Sequence, residues 1–207
     1  MTVFSDFNHI LNDSERAYIR EWLRSSNTDM LHMLQVSGLA MRLFDETMDL
    51  HGEDRKARRI LLFAALLHDI GFSVDERKHH KHSRDLILEK GIQGLNRTEV
   101  DMVACVARYH RKAEPKPGHK IYRDLDPSQR KTVRSLAALL RLADGLDRSH
   151  HTKVRNLEVE LRPGYATLIL YSDEALGLEL QGVEKKKPYF ESLFQLRLST
   201  DIRHAGS

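Results

Sequence analysis

The chain has 207 residues, 41% of them hydrophobic and 30% charged, with a formal net charge of +3. That supports one core of ordinary size with a small appendage, and the charge is too slight to serve alone as a nucleic-acid footprint. Cys105 is the one cysteine, which excludes an intramolecular disulfide and fits a reducing cytosol; no run approaches the ~18 apolar residues of a membrane span, and Asp6, Asp13 and Glu15 break any signal-peptide pattern.

Asn12 and Glu15 stand at capping-box spacing and predict a helix to about Leu23. A second helix begins near Thr28 or Asp29 and runs towards Asp49, with Leu31, Leu34, Gly38 and Met41 at helical spacing. A third covers about Arg55 to Asp69 and stops at Gly71. "KHHKHSRDLILEKG" predicts a shorter helix closed by Gly91, and Asn96 with Glu99 opens another that runs through His110. Glu114 to Pro127 reads as a loop from its three prolines and a glycine, and a last long helix follows from about Ser128 to Arg148. The pattern then changes. "VRNLEVELRPGYATLILYS" alternates around Pro163-Gly164, a hairpin signal. "LGLEL" predicts a third strand, "YFESLFQ" a short helix after Pro188, and "LRLST" a fourth strand. The chain is therefore expected to be mainly α, with a helical domain over 1–152 and a small α+β appendage over 153–207.

The apolar run "LLFAALLHDIGF" carries His68 and Asp69 towards the interior. A buried carboxylate is costly unless something positive sits on it. Other polar residues lie on stripes that should also be buried. His32 shares a face with Val36, Leu39 and Leu43, His110 with Val103 and Ala107, and Asp144 with Val133, Ala137 and Leu140; His82 lies one turn before Leu86. One such histidine alone is more readily a hydrogen-bonded core residue, and Asp144 alone a partner of Arg141 or Arg148. Six on five helices point to imidazole and carboxylate ligands converging without thiolate. That set suits divalent Mn, Fe, Co, Ni or Zn, with Mg also admissible, and argues against a structural zinc site.

The order His…His-Asp…Asp on successive helices resembles the HD-domain metal-dependent phosphohydrolases, with His32, His68, Asp69 and Asp144 on the four defining positions. His82 in "KHSRDLI" and His110 in "RYHRK" match the two further histidines of members that hold two metals. "HMLQVSGLAMRLFD", "AALLHDIGF", "HHKHSRDLI", "VARYHRK" and "LLRLADGLDRSH" resemble the HD region carried C-terminally by the exopolyphosphatase and guanosine pentaphosphate phosphatase family. The resemblance covers roughly Thr28 to the C-terminus and implies an HD-domain helical bundle. The actin-like phosphatase domains of that family are not expected, because too few residues precede His32. Phe72 follows "HDIG" where the HD-GYP cyclic-dinucleotide phosphodiesterases carry a lysine, and the GYP tripeptide is missing.

Two divalent ions roughly 3.5–4 Å apart can activate a water at neutral pH and clamp a phosphoryl group for in-line displacement. Asp69 is the expected bridging ligand, with His32, His68 and Asp144 on one ion and His82 and His110 on the other. Lys78, Lys81, Arg84, Arg108, Arg111, Lys112 and Arg141 flank these residues. Such a charge run is as readily a solvated face. Lys81 beside His82, and Arg111 and Lys112 beside His110, could reach substrate phosphates, so Asp69, Lys81 and Arg111 are the catalytic candidates. Asp147 is spaced to orient a ligand or a water. His79 and His80 read as loop residues, either of which could replace His82, and His119, His150 and His151 read as surface histidines. The expected protein is a cytoplasmic phosphohydrolase using a two-metal-activated water on phosphomonoesters or phosphoanhydrides. Its partner is an anionic nucleotide or polyphosphate-like small molecule, not a membrane or a specific nucleic acid. Two alternatives stay open: a regulatory phosphate-binding module with little turnover, and a di-iron oxygenase with the same ligands. The appendage could be a lid, a dimer interface or a partner site, and a homodimer is compatible with all of this.

Overall fold

The computed structural model describes residue 7, residues 9–26 and residues 28–206. Helix α1 spans Asp13–Ser25; Asn12 accepts from the Glu15 amide and Glu15 returns a bond to the Asn12 amide. This reciprocal cap satisfies amides that a helix start leaves without partners. α2 (Met30–Glu46) starts on Asp29, and the short α3 (Met48–His51) follows it. In α4 (Arg55–Leu67) every residue from Leu61 to Leu67 is fully buried. Two 3-10 turns, Ile70–Ser73 and Glu76–Lys78, lead into α5 (His79–Lys90), which Gly91 ends at φ 71°. α6 (Arg97–Tyr109) carries the capping box expected of Asn96 and Glu99. The expected loop contains a short helix, α7 (Lys120–Asp124), and α8 (Pro127–Gly145) opens on a further capping box between Asp126 and Gln129.

The bundle is organised around α4, against which α2, α6 and α8 pack. The second half of α4, Leu61 to Leu67, is buried on all sides and has no polar face to give to solvent. His68 and Asp69, the two residues directly after its last turn, are therefore delivered to the middle of the bundle.

A three-stranded sheet stands at the C-terminal end, in the order β1 (Asn156–Arg162), β2 (Tyr165–Tyr171), β3 (Arg197–Arg203). β1 and β2 form the expected antiparallel hairpin, with Asn156 opposite Tyr171 and Arg162 opposite Tyr165. β3 runs parallel to β2, which requires a crossover, and α9 (Gly177–Phe194) supplies it. The sheet meets the bundle through β1 on α2, where Arg42 Nε donates to the Leu157 carbonyl at 3.0 Å, and α9 packs along α8.

The C-terminal segment differs from its predicted elements in three places. "LGLEL" is not a strand but lies at the α8-facing start of α9, and α9 continues through Pro188, so "YFESLFQ" belongs to its end rather than to a separate helix. "LRLST" is consequently the start of the third strand, not of a fourth. Five alternating residues mimic a strand, but the buried residues Glu179, Gly182, Val183, Tyr189 and Phe190 repeat at helical spacing. Among the described residues no helix is long and apolar enough to cross a membrane.

Candidate metal centre

The candidate residues sit at helix ends that converge on one point. His32 is in the first turn of α2, His68 caps α4 with Asp69 next, His79 begins α5, His110 caps α6, and Asp144 is in the last turn of α8. The termini themselves orient the rings. A helix leaves its last carbonyls without amide partners. His68 Nδ1 takes one of these, Ala65 O at 2.7 Å, and His110 Nδ1 takes another, Ala107 O at 2.6 Å. His79 Nδ1 pairs with Glu76 O at 2.8 Å, and His32 Nδ1 with the carboxylate of Asp147 at 2.8 Å. Each Nδ1 therefore donates, which leaves each Nε2 with a lone pair.

Those Nε2 atoms face two carboxylates. His32 Nε2 lies 3.8 Å from Asp69 Oδ2 and 3.6 Å from Asp144 Oδ1. His68 Nε2 lies 3.7 Å from Asp69 Oδ2 and 4.0 Å from Asp144 Oδ1. On the other side, Asp69 Oδ1 is 3.1 Å from His79 Nε2 and 3.6 Å from His110 Nε2. Ligand atoms thus form two groups, His32-His68-Asp144 and Asp69-His79-His110, each within 4.8 Å, with the second oxygen of Asp69 turned to the first group.

A divalent ion fits these residues on three counts. His32 Nε2, His68 Nε2 and Asp69 Oδ1 are buried with no hydrogen-bond partner, a costly arrangement unless something positive joins them. His79 Nε2 and His110 Nε2 approach to 3.2 Å although both carry lone pairs. Burial also favours the neutral form of His68, His79 and His110, the form a ligand must have. It pushes His68 down to about 4, lowers His79, and holds His110 well below the ordinary value. Burial opposes ionisation of Asp69, but His68, His79, His32 and Lys186 outweigh it and hold its carboxyl below the usual range.

Of the six expected ligands, the structure brings together His32, His68, Asp69, His110 and Asp144. It places His79 rather than His82 with Asp69 and His110. The reason is local: α5 starts at His79, so His82 lies nearly one turn further on and is half-buried outside both groups. Gly71 presses this helix start inward. Its amide donates to Ser83 Oγ at 3.0 Å, and a Cβ at Gly71 would overlap the His79 carbonyl oxygen and the Ser83 amide. Lys81 is exposed and does not line the cavity over the centre. Arg111 does, with Nη1 3.3 Å from the His79 ring nitrogens, and so do Lys112 and Arg141. Arg84 is tied to Asp85 and borders a separate cavity with Arg108.

Asp147 occupies the orienting place expected of it, fully buried against His32. His150 is exposed, as expected, but its ring stacks on His32 with centroids 3.8 Å apart, and Nδ1 meets Asp29 Oδ2 at 2.9 Å. Lys186 is a residue that the sequence pattern does not single out. It reaches in from α9 to an ion pair with Asp144. Burial and the nearby Arg141 and Arg111 guanidinium groups push its ammonium down to about 7, against the pull of Asp69. Its one signal is spacing: Glu179, Val183, Lys186 and Phe190 share one face of a helix.

Four imidazoles and two carboxylates gathered at helix ends define a helical-bundle protein with a buried His/Asp centre of a kind suited to divalent ions. The chain belongs to the family of Ppx/GppA phosphatase domain III, whose model matches residues 17–181. It is 26% identical over 135 residues to a guanosine-5'-triphosphate,3'-diphosphate pyrophosphatase of Pseudoalteromonas atlantica. That match covers 64% of this chain and 26% of the relative, so the aligned part spans about a quarter of the relative's length.

Proposed function

We propose that this chain is a metal-dependent phosphohydrolase of the HD type, acting on phosphomonoesters or phosphoanhydrides of nucleotide or polyphosphate-like anions. The helical part, residues 1–152, would hold the centre, and the α+β part, residues 153–207, would border it. One observation carries the reading: the two oxygens of Asp69 are divided between two groups of imidazoles. A carboxylate shared in this way can neutralise two cations at once. Divalent ions held there would supply Lewis-acid polarisation of a phosphoryl oxygen and a lowered pKa for an attacking water.

The chain's own residues do the rest. His32, His68 and Asp144 would hold one ion and His79 and His110 the other, with Asp69 between them. Asp147 and the carbonyls of Ala65, Ala107 and Glu76 keep the rings aimed. Arg111 and Lys112 stand at the cavity rim, where long cationic side chains can take phosphate oxygens. Phe72 stacks on His79 with ring centroids 4.5 Å apart and covers that side from water.

A second reading has its own support. The matched family is a third domain, and the pyrophosphatase relative is about four times longer than the aligned segment. That favours a regulatory module that binds phosphate ligands without turning them over. Phosphate release from polyphosphate and from nucleotides, measured with Mn, Co or Mg for wild type and Asp69→Ala, separates the two. Metal-dependent release that Asp69→Ala abolishes is expected. A metal-loaded protein that binds phosphate but releases none from any substrate would overturn the hydrolase in favour of the module.

A further inference from the structure

Lys186 lies beyond the residues matched by the family model, which end at 181. Its place at the centre is nevertheless built by specific contacts. α9 packs on α8 with Gly182 against Gly145; a Cβ on Gly182 would overlap the Gly145 carbonyl, and one on Gly145 would come within 3.0 Å of the Gly182 carbonyl. Glu179 is fully buried and accepts from the Ser149 amide at 3.0 Å, which fixes the start of α9 to the segment after α8. Lys186 stands one turn after Gly182, and Asp144 one residue before Gly145. The close approach of the two backbones therefore sets the ammonium on Asp144. The side chain is 13% exposed, and Nζ also lies 3.5 Å from the His110 carbonyl, so it touches both halves of the centre.

A structural ion pair would account for this contact if Asp144 had no other task. With divalent ions on Asp69 and Asp144, however, Lys186 loses its counter-charge. The cavity over the centre, about 470 Å³ in volume, is lined by Lys185, Lys186, Arg111, Lys112, Arg141 and Arg148, and among the described residues its acids are Asp69 and Asp144. A cavity lined by six cationic side chains over two carboxylates is complementary to a multiply charged anion, and among those cations Lys186 is in contact with Asp144.

We propose that Lys186 is a phosphate-binding residue of this centre, its ammonium exchanging Asp144 for an oxygen of a bound phosphoryl group. The C-terminal α+β segment then contributes part of the substrate site to a centre otherwise made by the helical bundle. This rests on the function proposed above. It adds that the ligand is recognised through a multiply charged phosphoryl group reached from α9.

The test is calorimetric binding of inorganic phosphate to Mn-loaded protein, together with Mn affinity, for wild type, Lys186→Met and Lys186→Arg. Loss of a charge-assisted hydrogen bond should weaken phosphate binding roughly tenfold or more in Lys186→Met. Mn affinity should be unchanged or tighter there, because a repelling charge has gone. Lys186→Arg should keep most of the phosphate affinity. Equal phosphate affinity in wild type and Lys186→Met overturns the assignment, as does parallel loss of Mn and phosphate, the mark of a structural role. If Lys186→Met fails to fold, Lys186→Gln, which keeps a donor for Asp144, carries the same comparison. Wild-type protein that binds no Mn overturns the proposed function itself. Protein that binds Mn but no phosphate overturns the Lys186 assignment while leaving the metal centre in place.

Discussion

Asp147→Asn is a small change at a place that allows none. Asp147 is fully buried, and its two oxygens have separate donors: Oδ2 accepts from His32 Nδ1 at 2.8 Å and Oδ1 from the Thr152 amide at 2.9 Å. An asparagine offers one oxygen and one NH2 group. With its oxygen on Thr152, the NH2 faces His32 Nδ1 and drives the ring proton to Nε2, which removes the lone pair His32 turns to the centre. With its oxygen on His32, the NH2 meets the Thr152 N–H, and one buried donor is left unsatisfied at about 1–3 kcal/mol. Loss of such an orienting carboxylate typically lowers metal affinity about 10–100-fold, or about 1.4–2.7 kcal/mol. Calorimetric titration with Mn at neutral pH, with thermal unfolding of the same samples, measures both effects. One ion should weaken by that factor while the ion on the His79 side keeps its affinity. Wild-type affinity for both ions at wild-type thermal stability would refute the orienting role of Asp147.

Gly71→Ala should lower stability by roughly 1–3 kcal/mol, because the new methyl must push α5 away from the His79 carbonyl and the Ser83 amide. It should also loosen the ion that His79 helps to hold; a thermal midpoint and metal content equal to wild type would show that the contact is slack. The metal-free protein should lose stability as pH falls. Burial lowers His68 from an ordinary 6.5 to about 4, so between these values the unfolded chain binds more protons than the native one. The contribution is complete above about pH 6.5 and lost towards pH 4, on the order of 3 kcal/mol for His68 alone. His79 and His110 shift in the same direction and add to it. Urea unfolding that gives a flat stability across this window would contradict the buried neutral imidazoles.

The helical part of the fold was legible because its signals are local. Capping boxes at Asn12 and Asn96 and a glycine stop at Gly91 act within a turn of the residues that carry them. The convergence of His32, His68, Asp69, His110 and Asp144 could be read from polar residues on apolar stripes, since a stripe of that kind must be buried somewhere. The inward face of α9 is less plain in the sequence. Its buried face includes Glu179 and Gly182 and presents Lys186, residues that no hydrophobic pattern marks as inward. Its partners, Gly145 for Gly182, the Ser149 amide for Glu179 and Asp144 for Lys186, lie 30 to 42 positions away in sequence, and such distant contacts leave no local signal. The exchange of His79 for His82 has a similar origin. Both lie near one face of α5, and the choice between them depends on where the helix begins, which Gly71 and Ser83 settle through a tertiary contact.

The proposed chemistry depends on Asp69 being shared between two ions, with His79 on the second. Metal content per chain tests it most directly, measured by elemental analysis after loading with excess Mn and removal of unbound metal. Two ions are expected in wild type, one in His79→Ala, two in His82→Ala, and loss of most metal in Asp69→Ala. A single ion in fully loaded wild type, or an ion lost from His82→Ala and kept in His79→Ala, would contradict it.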